Sequence, residues 1–162
     1  MTTDIRFYRA SELHGFLSNL YVCPVAFEDR VFRSAEDAYQ YGKPKNPTVS
    51  EWLIAAPSPS LCAQAAHALL RWQVRADWSD IKVERMHAVV RAKFHQHPEL
   101  SAQLIATGDA RLIEASRTDA FRGVGKRGTG KNRLDQLLME VRAELSRGMP
   151  CRKRVHELAH RR

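Results

Sequence analysis

The chain has 162 residues, and its 44% hydrophobic and 27% charged residues are typical of a globular domain and exclude a disordered or fibrous protein. Its formal net charge is +8, but six basic residues and one acidic residue in 147–162 supply most of that excess, so the remainder is only mildly basic. No apolar run reaches the roughly 18 residues of a membrane span, and the first residues lack the apolar stretch of a secretion signal. The three cysteines have no metal-binding spacing, so we expect reduced thiols and a cytoplasmic protein.

The N-terminal part of the chain predicts short strands followed by a helix. Residues 5–8 have the pattern of a strand, and residues 25–32 that of a hairpin. A helix is predicted over 34–43, because Ser34 is a strong N-cap residue and Pro44 stops the helix.

Helices dominate the rest of the chain. Cap residues and apolar positions at helical spacing predict five more, starting at Thr48, Ser58, Ser79, Pro98 and about Leu134. The stripe expected to face inward on the third helix is Leu61, Ala65, Ala68 and Leu69. A short strand at 112–113 and a Gly-rich loop at 118–131 precede the last helix. We predict one mostly α-helical α+β domain over 1–148, followed by a basic, flexible tail over 149–162.

Two glycine patterns in the loop at 118–131 match nucleotide-binding motifs incompletely. The pattern G-x-G-x-x-G at 123–128 has the dinucleotide-binding spacing but no strand directly before it. The pattern G-x-x-x-x-G-K at 125–131 resembles a P-loop, but Asn132 stands where a magnesium-binding hydroxyl is required. We therefore expect neither a Rossmann domain nor an NTPase. A Gly-rich loop that enters a helix beside Lys131 still predicts phosphate binding.

The tail contains the zinc-protease pattern H-E-x-x-H at 156–160. Only two residues follow it, which leaves no room for a downstream third ligand, and the segment is polar. We expect a charged tail there and no metal site. Contact between the basic tail and nucleic acid, or another phosphate-rich partner, is the alternative.

The predicted helix at 34–43 carries the most informative polar residues. Glu36, Gln40 and Lys43 fall at i, i+4 and i+7 and therefore share one face. A solvated ion pair is the ordinary interpretation of such a face, and a reactive site is the alternative. Further candidates that also have ordinary structural explanations are Asp119, Phe121 and Arg122 in the Gly-rich loop, Trp78 before the fourth helix, and Asn19 in a turn.

A series of sparse motifs runs in order from about residue 5 to about residue 145. The motifs include Phe16-Leu17-Ser18-Asn19, Ser34-Ala35-Glu36, Tyr39-Gln40 with Lys43, Trp78, Lys93-Phe94, Thr107-Gly108, Asp119-x-Phe121-x-Gly123-x-Gly125 and Gly130-Lys131-Asn132-Arg133-Leu134. Together they resemble the NADAR (YbiA-like) family. The resemblance implies a mostly helical α+β fold with no required metal or other cofactor.

The resemblance also implies N-glycosidase chemistry on ribosylamino-pyrimidine phosphates, early intermediates of riboflavin synthesis. It places the family's motif glutamate on Glu36, its lysine on Lys43, its central tryptophan on Trp78 and its loop aspartate on Asp119. Glu36 and Asp119 would act as acid, base or electrostatic stabiliser, and Lys43 as a Schiff-base nucleophile. The substrate-binding candidates are Asn19, Gln40, Trp78, Phe121, Arg122, Gly123, Gly125, Lys131 and Asn132.

The chain departs from the family pattern at three positions. Asp37 replaces a usual His and adds a negative charge beside Glu36. Arg122 replaces a usual Trp, and Asp135 replaces a usual Gly, to which we assign no functional weight. Because Arg122 turns a stacking surface into a guanidinium that also binds phosphate, two alternatives stay open. One is ADP-ribosyl-guanine hydrolysis on DNA, and the other is a non-catalytic ADP-ribose or NAD-binding module.

Overall fold

The computed structural model describes residues 3–115 and 133–148. These residues form four short strands, six α-helices and 3-10 helices at Gly15–Leu17 and Arg71–Gln73. The elements are β1 (Asp4–Phe7), β2 (Val22–Phe27), β3 (Arg30–Ser34), α1 (Ala35–Tyr41), α2 (Pro47–Ile54), α3 (Pro59–His67), α4 (Trp78–Gln96), α5 (Pro98–Ala106), β4 (Arg111–Glu114) and α6 (Arg133–Gly148). The predicted class, a mostly helical α+β fold, is confirmed.

The four strands form two separate two-stranded sheets. β1 and β4 pair in parallel, which brings the start of the domain beside the segment that precedes α6. β2 and β3 form the predicted antiparallel hairpin. Its turn residues Glu28 and Asp29 have φ angles of 48° and 59°, the left-handed conformation that matches a tight hairpin turn to the twist of its strands.

Side chains from the end of α4, and not a further strand, cover the outer edge of β2. The Gln96 carboxamide accepts a hydrogen bond from the Ala26 N–H (2.7 Å) and donates one to the Ala26 carbonyl (2.8 Å). Nε2 of His97 lies 2.6 Å from the Pro24 carbonyl oxygen. The end of α4 is thereby fixed to the hairpin that leads into α1.

The main hydrophobic core lies where α4, α5 and α6 meet the β1–β4 sheet. Its buried members include Phe7, Met86, Val90, Phe94, Leu100, Leu104, Leu112, Leu134, Leu138 and Val141. Burying one such side chain contributes about 1.5–3 kcal/mol. A second cluster, formed by Phe32, Ala35, Ala38 and Val89, packs β3 and α1 against the other side of α4. The position of α1 is therefore set by α4.

Three predicted helix boundaries are wrong by one or two residues. α4 begins at Trp78, so the tryptophan that we placed before this helix is its first residue and the predicted start at Ser79 is wrong. α1 ends at Tyr41 and not at Lys43, so its last two predicted residues lie beyond the helix. α2 is capped by Asn46, whose side chain accepts a hydrogen bond from the Thr48 N–H (2.9 Å), so the helix starts before the predicted cap at Thr48. An Asn followed by a proline at the first helical position is a stronger start signal than the threonine.

The predicted inward stripe of α3 is wrong in part. The helix buries Cys62 and Ala66 against Leu53 of α2, whereas Leu61 is exposed. The small side chains of Cys62 and Ala66 allow α3 to approach α2 closely. The spacing of leucines and alanines along α3 does not indicate which side of the helix packs against α2.

Among the helices of residues 3–115 and 133–148, none is long and apolar enough to span a membrane. α6 spans Arg133–Gly148. The domain boundary after residue 148 stays a prediction. The predicted tail at 149–162, with its H-E-x-x-H pattern, lies outside the described residues.

Candidate active site

The first turns of α1 carry a buried carboxylate. The Ser34 hydroxyl caps the helix by accepting a hydrogen bond from the Asp37 N–H (3.1 Å), and β3 runs directly into this cap. Glu36 is completely buried, and its Oε1 accepts a hydrogen bond of 2.7 Å from Nε2 of Gln40, which is also buried. The predicted shared face of these two side chains is therefore present, and it points into the protein and not into solvent.

Asn19 lies against the start of α1. Its carbonyl oxygen accepts a hydrogen bond of 2.9 Å from the Glu36 N–H. Its carboxamide is buried, and neither Oδ1 nor Nδ2 has a hydrogen-bond partner; Oε1 of Gln40 also lacks one. An unsatisfied buried polar group costs about 1–3 kcal/mol, so such groups are expected where a ligand completes their hydrogen bonds.

Lys93 of α4 holds the loop that carries Asn19. Its buried Nζ donates to the carbonyl oxygens of Phe16 (2.6 Å) and Ser18 (2.9 Å). Burial lowers the pKa of this lysine from 10.5 to about 8. We did not predict this role, although a lysine three residues after Val90 and next to Phe94 on an apolar stripe was the available signal.

Arg85 of α4, also missed from the sequence, binds the other end of α1. Its guanidinium donates to the carbonyl oxygens of Ala38 (2.6 Å) and Tyr39 (3.1 Å), the helix end that attracts cations. It also pairs with Glu28 of the hairpin turn (2.8 Å). A Cβ atom on Gly42 would lie 2.3 Å from Cζ of Arg85, so any larger residue there would displace the guanidinium.

Trp78 provides an aromatic surface beside α1. Its ring centroid lies 5.1 Å from that of Tyr39, the residue before Gln40, with 52° between the ring planes. Trp78 also lines an open groove of about 1110 Å³ together with Trp72, Arg71 and Lys45. The predicted stacking residue thus stands between the α1 face and a basic, aromatic groove.

Lys43 does not continue the helical face of Glu36 and Gln40, because α1 ends two residues before it. Its half-buried side chain reaches α3, where Nζ donates to the Ala66 carbonyl oxygen (2.7 Å). Its own carbonyl accepts a hydrogen bond from the N–H of Arg75 (3.1 Å), a residue that lines the groove.

The charge of Asp37 is balanced by a neighbour. Arg33 binds both of its carboxylate oxygens, at 2.8 and 3.1 Å, and also donates to the Ala56 carbonyl. The negative charge that Asp37 adds beside Glu36 therefore belongs to a partly buried ion pair, in which Asp37 is buried and Arg33 is half-buried. Cys62 lies close to this pair, and burial raises the pKa of its thiol.

Asp135, to which we assigned no functional weight, joins two elements. It is buried in the first turn of α6, and both carboxylate oxygens accept the Glu114 N–H at the end of β4 (2.8 Å each). Burial raises the pKa of this carboxyl to about 8. Its role is to connect β4 with α6.

The remaining predicted site residues lie outside the described residues. They are Asp119, Phe121, Arg122, Gly123, Gly125, Lys131 and Asn132. Within residues 3–115 and 133–148, no group of three or more His, Cys, Asp or Glu side chains could hold a metal ion. Glu36 is thus joined to Gln40 by a side-chain hydrogen bond and to Asn19 by a backbone hydrogen bond. Trp78 contacts Tyr39 of the same helix, and Lys43 lies beyond the end of that helix.

Comparison with known proteins agrees with the resemblance found in the sequence. The model of the NADAR domain family matches residues 6–146. The N-glycosidase YbiA of Escherichia coli is 35% identical over 144 residues, which are 89% of each chain. An N-glycosidase of Nostoc punctiforme is 33% identical, with 87% of this chain and 92% of the relative covered.

A longer relative and a solved structure complete the comparison. A riboflavin biosynthesis protein of Vibrio vulnificus is 40% identical over 93% of this chain, but the chain spans only 41% of that protein's length. The NMR structure of Escherichia coli YbiA has a TM-score of 0.81 and 34% identity, covering 99% of this chain and 94% of the other.

These matches confirm the predicted enzyme class, a hydrolase of N-glycosyl compounds, because relatives covered over most of their length are named N-glycosidases. The match to the family model covers nearly the whole described chain. The chain belongs to the NADAR domain family.

Proposed function

We propose that this protein hydrolyses the N-glycosidic bond of a phosphorylated ribosylamine, a ribosylamino-pyrimidine phosphate of the riboflavin pathway. The observation that carries this proposal is the completely buried Glu36 carboxylate, which is held by Nε2 of Gln40 while Oε1 of Gln40 and the Asn19 carboxamide have no hydrogen-bond partner. The relative named as a riboflavin biosynthesis protein supports this substrate class.

The chemistry requires a carboxylate of this kind. Breaking the bond between C1 of ribose and nitrogen builds positive charge on the sugar, and a fixed carboxylate in a site of low dielectric stabilises that charge. The Gln40 and Asn19 contacts hold Glu36 in place before the substrate arrives, so little reorganisation is needed during the reaction. Asp119 is the proposed second carboxyl group, which delivers a proton to the departing nitrogen or activates water.

Lys43 is the proposed nucleophile of a covalent variant of this reaction. In the ring-opened imine of a ribosylamine, Nζ would add to C1 and expel the pyrimidine amine, leaving an enzyme imine that water hydrolyses to the free sugar and the lysine. The Nζ bond to the Ala66 carbonyl would have to exchange for the substrate, which a half-buried side chain allows.

The other predicted residues divide between the two ends of the substrate. Trp78 and Phe121 would stack on the base, and Arg122 would contact either base or phosphate. The Gly-rich loop and the start of the last helix, with Gly123, Gly125, Lys131 and Asn132, would hold the phosphate group.

The test is a hydrolysis assay with the ribosylamino-pyrimidine phosphate, in which mass spectrometry follows release of the base. We expect release by the wild type and a loss of about a hundredfold or more in kcat for Glu36→Gln. Glu84→Gln on the exposed side of α4 is the matched control, because it removes a carboxylate outside the site. Full activity of Glu36→Gln would contradict the assignment.

The groove next to Trp78 favours a second candidate, hydrolysis of ADP-ribosyl-guanine in DNA. At about 1110 Å³ it is larger than a small ligand needs, and it presents Trp72 with Arg71 and Lys45. The same assay is repeated with an ADP-ribosylated guanine oligonucleotide. Release of ADP-ribose by the wild type, and slower release by Trp72→Ala and Arg71→Ala, would support this function. Binding of ADP-ribose without release from either substrate would instead indicate a non-catalytic module.

A further inference from the structure

Three buried polar side-chain atoms have no hydrogen-bond partner, and they belong to the two residues that hydrogen-bond Glu36. They are Oε1 of Gln40 and both Oδ1 and Nδ2 of Asn19, on side chains that are only 1% and 3% exposed. Hydroxyl groups can satisfy atoms of both kinds, because each hydroxyl both donates and accepts. The site therefore offers two acceptors and an amide donor to a ligand group of that kind.

The position of the Gln40 acceptor is tied to that of the reactive carboxylate. Because Nε2 of Gln40 donates to Oε1 of Glu36 at 2.7 Å, the free Oε1 of the same amide lies within about 5 Å of that carboxylate oxygen. In a ribosyl group the 2-hydroxyl oxygen is about 2.4 Å from C1 by ordinary bond geometry. With the carboxylate about 3–3.5 Å from C1, these distances allow the 2-hydroxyl to lie within hydrogen-bond reach of Oε1.

We propose that the Gln40 carboxamide accepts a hydrogen bond from the 2-hydroxyl of the ribosyl group, with the Asn19 carboxamide completing recognition of the adjacent hydroxyl. This assignment rests on the proposed function, since it places C1 at Glu36. It makes Gln40 the residue that distinguishes ribosyl from 2-deoxyribosyl substrates. A hydrogen bond at this hydroxyl strengthens as charge develops at C1, so it acts on the rate as well as on binding.

The test compares kcat/KM for the ribosylamino-pyrimidine phosphate and its 2-deoxyribosyl counterpart across variants. We expect the ratio of ribosyl to 2-deoxyribosyl kcat/KM to fall about tenfold to a hundredfold in Gln40→Met. The intrinsic difference in reactivity between the two sugars is common to every variant and cancels. Gln64→Met, an exposed glutamine of α3, is the matched control and should leave the ratio unchanged.

Two further measurements separate recognition from support of Glu36. Gln40→Lys keeps a donor for Glu36 but has no acceptor, and it should lower the ratio as Gln40→Met does. With the wild type alone, 2-deoxyribose 5-phosphate should inhibit at least about tenfold more weakly than ribose 5-phosphate.

The outcomes distinguish the two proposals. If both Gln40 variants slow the two substrates equally, the side chain only positions Glu36 and the assignment is overturned. Equal inhibition by the two sugar phosphates also overturns it. If the wild type releases base from neither substrate, the proposed function itself fails, and this assignment fails with it.

Discussion

Lys93 shows how a single buried charge serves the site at a cost in stability. Its ammonium is satisfied by two backbone carbonyl groups, and among the described residues no carboxylate lies within salt-bridge distance. Carbonyl dipoles compensate a buried charge less completely than a carboxylate does, so burial lowers the pKa of Lys93 to about 8. These two hydrogen bonds fix the carbonyl groups of Phe16 and Ser18. They thereby hold the backbone next to Asn19 in place.

The buried lysine predicts a specific pH dependence of stability. Its pKa is about 8 in the folded protein and 10.5 when exposed, so the unfolded state binds more protons between these values. The contribution of Lys93 to the free energy of unfolding therefore rises from pH 8 to 10.5, by about 3 kcal/mol. Urea unfolding at pH 7.5 and 10 should show this rise in the wild type and in Lys45→Met, but not in Lys93→Met. An identical rise in all three proteins would contradict the prediction.

At the scale of elements, α1 is a seven-residue helix fixed at both ends by other parts of the fold. Asn19 contacts its first turn, and Arg85 binds its last carbonyl groups. So short a helix is unstable alone, and these tertiary contacts are what hold Glu36 in place.

A double-mutant cycle tests the contact between Gly42 and Arg85. Gly42→Ala places a methyl group where the guanidinium lies, so we expect a loss of about 1–3 kcal/mol in the free energy of unfolding as the Arg85 hydrogen bonds break. In the Arg85→Ala background the same change should be neutral or stabilise by up to about 1 kcal/mol, because Gly42 has an ordinary helical conformation. Additive effects of the two substitutions would show that the contact has no energetic weight.

The connection between β4 and α6 predicts the opposite pH dependence. The pKa of Asp135 is raised to about 8 in the folded protein, so the folded state binds more protons between about pH 4 and pH 8. Its contribution to stability is complete below pH 4 and is lost as the pH rises through 8. Asp135→Asn, which keeps an acceptor for the Glu114 N–H, should therefore gain more than about 1 kcal/mol relative to the wild type between pH 5 and 8.5. Asp135→Ala separates this charge effect from the hydrogen bond, since it should be less stable than Asp135→Asn at both pH values.

For the whole molecule, local signals predicted the elements well and long-range contacts poorly. The hairpin at 25–32 and the stripe of α6 follow from spacing and turn residues, which act over a few positions. The roles of Lys93 and Arg85 depend on carbonyl groups more than forty residues away, which no local pattern reveals. For the same reason helical spacing correctly predicted that Glu36 and Gln40 share a face, but it wrongly placed Lys43 on that face. The position of Lys43 depends on where the seven-residue helix α1 ends.

The domain limit predicts that the tail can be removed. A chain ending at Gly148 should keep the melting temperature and the turnover of the small ribosyl substrate, because α6 already completes the described core. If the basic tail binds nucleic acid, the same truncation should lower only the salt-sensitive turnover of an oligonucleotide substrate. A lower melting temperature would show that the tail belongs to the domain.

The pairing of Gln96 with Ala26 has a consequence for behaviour at high concentration. An uncovered strand edge offers its N–H and C=O groups to another chain and is a common starting point for aggregation. On β2 the Gln96 carboxamide accepts a hydrogen bond from the Ala26 N–H and donates one to the Ala26 carbonyl, as the backbone of a neighbouring strand would. The hairpin beside the site therefore resists intermolecular strand addition, and the enzyme can carry a small open sheet without a protecting strand.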